Sequence, residues 1–352
     1  MRYDHAFGCV SGEPRSGLST PVARAAHSGS ARWRDRATLA KYRLSLPQLG
    51  SRLFLTDGGI ETTLIYSEGF ELPCFAAFDL LGSEAGLDGL RVYYRRYAEL
   101  ARRAGVGLML EAPTWRANRD WADRLGYDGD ELADVNRRAI ALMSEIRGRF
   151  ETEDAPMVIS GCIGPRGDGY DPGRRMTPAS AQIYHGEQIA TFATTAADMV
   201  TALTITNVEE AIGIVRAATA RRLPVAVSFT VETDGRLPTG QSLAAAIEEV
   251  DRETGSAAAY FMLNCAHPDH FAHLLECGEA WTGRLRGIRA NASKRSHAEL
   301  DRATTLDDGD PVELGRCYRR LRERHPKLTV LGGCCSTDHR HVQQICLSCL
   351  AA

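Results

Sequence analysis

Eight short apolar runs alternate with segments of helical length from residue 52 onward, and this alternation constrains the fold more than any other feature. The runs lie at 52–57 (RLFLTD), 106–111 (VGLMLE), 156–161 (PMVISG), 198–203 (DMVTAL), 224–229 (PVAVSF), 258–264 (AAYFMLN), 285–290 (LRGIRA) and 328–333 (LTVLGG). Runs so short and so apolar read as strands covered on both faces, as in a parallel sheet. Helix candidates fall between them near 86–104, 130–149, 179–196, 207–221, 241–253, 268–276, 311–324 and 337–349. The pattern predicts an α/β fold, a single (β/α)8 barrel over residues 50–350. A doubly wound sheet usually has fewer strands and often a glycine-rich phosphate loop.

Residues 1 to about 45 differ in composition from the rest. They hold arginines at 2, 15, 24, 32, 34, 36 and 43 with many Ser, Gly and Ala and no hydrophobic period, so a disordered arm is expected. Gly12, Pro14, Gly17, Pro21 and Gly29 break any targeting helix there. A chain of 352 residues, 44% hydrophobic, can bury a core of the predicted size. A formal net charge of −3 gives no basic face for nucleic acid. No apolar run reaches the roughly 18 residues of a membrane span, and the start has no compact secretory stretch. Small-molecule partners and a cytoplasmic location are therefore expected, with a homo-oligomer left open. The ten cysteines are then expected to be mostly free thiols or metal ligands.

In such a barrel the active site is built where strands run out into the following loops. The polar residues at those exits are Asp57, Glu111, Cys162, Glu232, Asn264, Cys265, Asn291, Cys334 and Cys335. Neighbouring side chains on a strand point to opposite faces, so Cys334 and Cys335 converge only where the backbone bends, and Gly332 and Gly333 are expected to permit that bend. Strands 6 and 8 have one neighbour between them in the ring, which brings Cys265 close to the pair. Any one of these cysteines alone reads as a small buried hydrophobe. All three at the mouth predict Zn2+ with an open fourth position, because a structural site closes with four protein ligands. Three thiolates make zinc a weak Lewis acid but leave an incoming thiolate electron-rich, so thiol alkylation is predicted.

Other motifs carry less. Asp57-Gly58-Gly59 ends a strand and either meets a small ligand or forms a tight turn capped by Asp57. The glycine-dense loop from Gly161 to Gly169 lacks the phosphate-loop lysine and reads as a flexible binding loop or lid. Cys346 and Cys349 share a helix face and are expected in the core. His339 and His341 sit two positions apart, so they cannot share one helix face as ligands. Trp115, Trp121, Tyr66 and Phe75 either cage a cationic methyl group or simply pack.

With these residues in hand the chain resembles the homocysteine S-methyltransferase family over residues 50–350. Asn264-Cys265 with Gly332-Gly333-Cys334-Cys335 carries most of the likeness, supported by Asp57-Gly58-Gly59 and by Gly161-Cys162-Ile163-Gly164-Pro165. The resemblance implies Cys265, Cys334 and Cys335 as zinc ligands and catalytic residues, with homocysteine as the thiol. It implies substrate contacts from Asp57 and the backbone around Gly58, and Asn264 is expected to touch the substrate as well. Where the family commonly has a glutamate for the amino group, this chain has Leu203. Either Glu111 supplies that carboxylate, or the substrate is another thiol.

The chain has no room for separate folate and cobalamin domains. The methyl donor is therefore expected to be a sulfonium such as S-methylmethionine or a quaternary ammonium such as betaine. Two other readings compete. A barrel hydrolase would show His-x-His after strand 1, where this chain has Asp-Gly-Gly; a non-catalytic zinc or thiol sensor would tolerate Leu203.

Overall fold

A computed structural model describes residues 40–302 and 305–351. Eight strands, β1 (Phe54–Leu55), β2 (Gly107–Glu111), β3 (Met157–Ile163), β4 (Met199–Ile205), β5 (Val225–Phe229), β6 (Tyr260–Asn264), β7 (Leu285–Ala290) and β8 (Val330–Gly333), close in chain order into a barrel. Every neighbouring pair is parallel, and β8 returns to β1 with Val330 opposite Phe54. The helices that follow the strands around it are α1 (Glu84–Ala104), α2 (Gly129–Phe150), α3 (Pro178–Ala193), α4 (Val208–Ala220), α5 (Leu243–Thr254), α6 (Pro268–Phe271), α7 (Pro311–Arg324) and α8 (His339–Leu350), with short helical turns at Ile60–Thr62, Arg119–Arg124 and His297–Arg302 besides. Side chains of Ser83, Asp128, Thr177, Asn207, Ser242, Asp310 and Asp338 each accept from a backbone N–H in the first turn of a helix, meeting donors that no helical carbonyl can reach.

The strand period of two decides what faces inward. At the end where the strands begin, Phe54, Met109, Val158, Met199, Ala226, Tyr260, Met262 and Val330 pack with Leu46 into one apolar layer. The alternate positions, among them Leu55, Leu110, Ile159, Val227, Leu263 and Leu331, pack in the larger cluster beneath the helices. Two or four residues further along the inward rows come Glu111, Ser160, Cys162, Thr201, Leu203, Ser228, Asn264 and Cys334. The barrel is therefore greasy at its base and polar at its mouth, and the polarity comes from the same alternation that builds the core.

Three expectations need correction. Residues 1–39 of the expected arm lie outside the described residues, but 40–45 are bonded to the barrel base. Tyr42 N–H donates to Asp198 Oδ1 (2.7 Å), and Arg43 donates to the carbonyls of Ala193, Thr195 and Ala197. The sixth helix is helical only over Pro268–Phe271 and continues as a 3-10 turn over Ala272–Cys277, because Phe271 leaves helical geometry (φ −133°) while its ring is buried. The pair Gly332 and Gly333 does not supply the bend, since neither has positive φ. Their missing side chains instead leave room for the Thr56 and Thr337 hydroxyls, and the left-handed residues around the cluster are Thr204 (φ 62°), Cys265 (φ 56°) and Ser336 (φ 64°).

Candidate active site

The exits of all eight strands, with β5 represented by Glu232 in the loop that follows it, open into one cavity of about 480 Å³. On its wall the sulfurs of Cys265, Cys334 and Cys335 all lie within 4.8 Å of one another, with Cys265 and Cys335 Sγ atoms 3.9 Å apart. A zinc ion bonded to sulfur at about 2.3 Å in a tetrahedron needs sulfurs about 3.8 Å apart. The donor set fits that ion with little movement. Among the described residues this is the one such cluster of three or more ligating side chains.

The backbone is bent to make the cluster. Cys265 follows β6 in the left-handed region, a conformation that disfavours side chains other than glycine and persists only when its surroundings fix it. Its carbonyl accepts from Asn291 Nδ2 (3.0 Å) and lies 2.6 Å from His297 Nε2, while its N–H donates to Arg289 O (3.1 Å). Asn264 works on the other side. Its Oδ1 accepts from Thr204 N (2.8 Å) and Ser228 Oγ (2.6 Å), and its Nδ2 donates to Thr204 Oγ1 (2.7 Å) and reaches Cys334 Sγ (3.7 Å). Hydrogen bonds from Cys265 and Cys335, with Arg289 and Asn264 nearby, hold the Cys334 thiol well below its ordinary pKa. The Cys335 thiol is pushed up by the same sharing.

Glu111 reaches the cavity from β2 and is 4% exposed. Its Oε1 accepts from Thr201 Oγ1 (2.9 Å), which shares a hydrogen bond with Ser160 (2.8 Å), and its Oε2 has no partner. Burial pushes its pKa up to about 7, against the opposing pull of Arg289. Asp57 is occupied. Its Oδ1 lies 2.7 Å from Arg289 Nη2 and its Oδ2 accepts from Tyr93 OH (3.0 Å). Burial still lifts its pKa above the ordinary value. Gly58 and Gly59 are packed under the segment after β8, where a Cβ would sit 2.7 Å from Thr337 O and 2.5 Å from Cys334 O respectively.

Several lining residues were not singled out by sequence. Arg289 sits within an apolar run, and a charged residue on the inward row of β7 was the available signal. Glu61 lies two residues beyond Asp57-Gly58-Gly59; burial pushes its carboxyl up to about 8. Tyr170 enters from the loop after β3, its hydroxyl 3.5 Å from Cys335 Sγ and its ring stacked 4.0 Å from His297. That loop is anchored rather than loose. Asn118 Nδ2 donates to Pro165 O (3.2 Å), and Arg166 N–H donates to Glu210 Oε1 (2.8 Å).

Of the four aromatic candidates, Trp115 and Phe75 line the cavity; Tyr66 and Trp121 do not. Trp121 is covered by the guanidinium groups of Arg116 (3.5 Å) and Arg124 (4.4 Å). Glu232 lines the wall and Leu203 occupies it at 7% exposure. Cys346 and Cys349 are core residues. His339 is exposed, and His341 is buried against Asp338 (3.0 Å) and Asp308 O (2.8 Å), away from the cluster. Among the described residues seven cysteines are free thiols, while Cys74 is in a disulfide. No helix among the described residues is long and apolar enough to cross a membrane.

Fold and site together define a parallel (β/α)8 barrel protein with a three-sulfur cluster, suited to a soft metal, at its mouth. The family model for homocysteine S-methyltransferase matches residues 54–349, and the chain belongs to that family. No curated protein matches it in sequence. Among solved structures it is similar to the homocysteine methyltransferase MmuM from Escherichia coli. The oxidized form matches with a TM-score of 0.68 and 17% identity, over 87% of this chain and 99% of that one. The metallated form matches with 0.66 and 16%, over 85% and 96%. At such identity the likeness speaks for the fold.

Proposed function

We propose that this chain is a zinc-dependent S-methyltransferase that moves a methyl group from S-methylmethionine or betaine to homocysteine, giving methionine. The observation that carries the reading is the gathering of Cys265, Cys334 and Cys335 within 4.8 Å on the wall of a cavity large enough for a small thiol and a donor. These three would hold the zinc, which acidifies a thiol while leaving its sulfur nucleophilic.

The remaining work falls to the chain's own groups. Asn264 fixes Cys334 and the strained turn at Thr204. Glu111 presents its unpartnered oxygen to the amino group, in the role that Leu203 does not fill. Asp57, held by Arg289 and Tyr93, and the Gly58 backbone line the same pocket and offer further polar contacts to the amino acid. Trp115 and Phe75 line the cavity where a cationic donor would sit, one face of Trp115 being already covered by the Arg116 guanidinium (4.5 Å). In the transfer the methyl carbon's bond to the donor sulfur or nitrogen breaks as its bond to the thiol sulfur forms, and the thiol's proton leaves to solvent.

The test is metal analysis of wild type and Cys265→Ala under reducing conditions, followed by incubation with homocysteine and each donor and measurement of methionine. One zinc per wild-type chain, less in the variant, and methionine from one donor are expected. The apolar Leu203 favours one other reading, a zinc and thiol sensor. Full zinc with no methyl transfer to any thiol would establish that reading instead.

A further inference from the structure

We propose that Arg289 is the specificity-determining residue that selects thiols carrying a carboxylate, seating that anion while Glu111 takes the ammonium of the same molecule. This rests on the proposed thiol chemistry and adds the substrate's second recognition element.

Arg289 is 4% exposed and lines the cavity beside Cys334. Three of its contacts fix the guanidinium plane: Nε donates to Gly333 O (3.1 Å), Nη2 donates to Gly58 O (3.2 Å), and Nη2 is paired with Asp57 Oδ1 (2.7 Å). Burial works against its charge, but Asp57, Cys334 and Glu111 more than offset this, and the group stays protonated. Its remaining nitrogen, Nη1, has no hydrogen-bond partner. Glu111 Oε2, in the same cavity, has none either. Among the described residues no ion pair joins the two side chains, although their charges are opposite.

A buried donor of a charged group left unpaired is expensive, and so is a buried carboxylate oxygen. Both are satisfied at once by a ligand that offers an acceptor to Nη1 and a donor to Oε2. A zwitterionic amino acid does so through its carboxylate and ammonium. The rigid guanidinium fork, already held in plane by Asp57 and two carbonyls, matches carboxylate geometry better than a lysine would.

The test is calorimetric titration of the zinc-loaded full chain with homocysteine, with 4-mercaptobutanoate, which lacks the amine, and with 3-aminopropane-1-thiol, which lacks the carboxylate. Removing the carboxylate from the ligand is expected to weaken binding to wild type about tenfold to a hundredfold. Arg289→Met should bring homocysteine down to the level of 3-aminopropane-1-thiol and leave the latter within about threefold of its wild-type affinity, with Arg289→Lys in between. Should Arg289→Met fail to fold for want of a partner to Asp57, Arg289→Lys, which keeps a charge beside Asp57, is read in its place, and an unchanged homocysteine affinity there overturns the role of Arg289. If 3-aminopropane-1-thiol binds wild type as tightly as homocysteine, the role of Arg289 is overturned and the thiol site stands. If none of the three thiols binds the zinc-loaded protein, the proposed function falls with it.

Discussion

Replacing Glu111 by Gln should make the zinc-free protein more stable and the loaded protein worse at holding homocysteine. The carboxyl is buried, and its pKa rises from 4.5 to about 7 chiefly because burial penalises the charged form. At 1.36 kcal/mol per pH unit, that rise puts the cost of the ionised group at about 3 kcal/mol. The sign follows from which state holds the proton. Between pH 4.5 and about 7 the folded chain keeps a proton that the unfolded chain has released, so stability falls as pH rises through that window. The full cost is present above it. An amide at position 111 carries no charge and still accepts from Thr201 through its oxygen. The expected gain for Glu111→Gln is therefore about 1–3 kcal/mol at pH 8 and close to zero at pH 4.5. Binding should move the other way, because the ammonium loses a charge-assisted hydrogen bond of about 1.5–3 kcal/mol, or roughly tenfold to 150-fold in affinity.

Urea denaturation of the reduced, chelator-treated protein at the two pH values gives the first number, and calorimetry with homocysteine or its Michaelis constant gives the second. A variant less stable than wild type at pH 8, or one that binds homocysteine within threefold of wild type, would refute the reasoning. Opposite signs from one substitution are hard to produce by accident, since a merely disruptive change lowers both.

Two further outcomes are expected. Gly59→Ala places a Cβ 2.5 Å from Cys334 O, against backbone that cannot swing aside, so it should lower stability by about 1–3 kcal/mol and weaken zinc in competition with a chromophoric chelator; unchanged zinc affinity would mean that the segment after β8 is looser than its packing implies. Asn264→Ala leaves the buried Thr204 N–H without its acceptor at 2.8 Å, which should destabilise by about 1–3 kcal/mol, read as a lower denaturation midpoint, with Asn264→Asp, which keeps the acceptor, losing less.

The barrel was legible because each strand writes its burial into two to seven residues of apolar sequence, and the observed strands fall on all eight of the predicted runs. Cys334 and Cys335 were legible for a related reason: they follow the last run directly, and closure of a ring puts them near Cys265 whatever the loops do. Loop geometry was not. Tyr170 reaches the sulfurs only through the path of the segment after β3, whose turns depend on Asn118 and Glu210 from distant elements. Trp121 looked like a candidate for the cavity and is instead sandwiched by arginines. Arg289 was hidden by its own surroundings, since an apolar run argues for a strand without saying that one inward position carries charge. The boundary at residue 40 was missed because Arg43 resembles the arginines before it in composition, while its contacts with the carbonyls around Ala197 are tertiary.

The three sulfurs are carried by β6 and β8, and β8 is also the strand that seals the ring against β1. A cation that needs all three has no complete seat on any piece of the chain that ends before Cys335. Metal uptake during refolding should therefore lag behind assembly of the last quarter of the ring, and a spectroscopically visible substitute for zinc would serve as a clock for the final stage of folding.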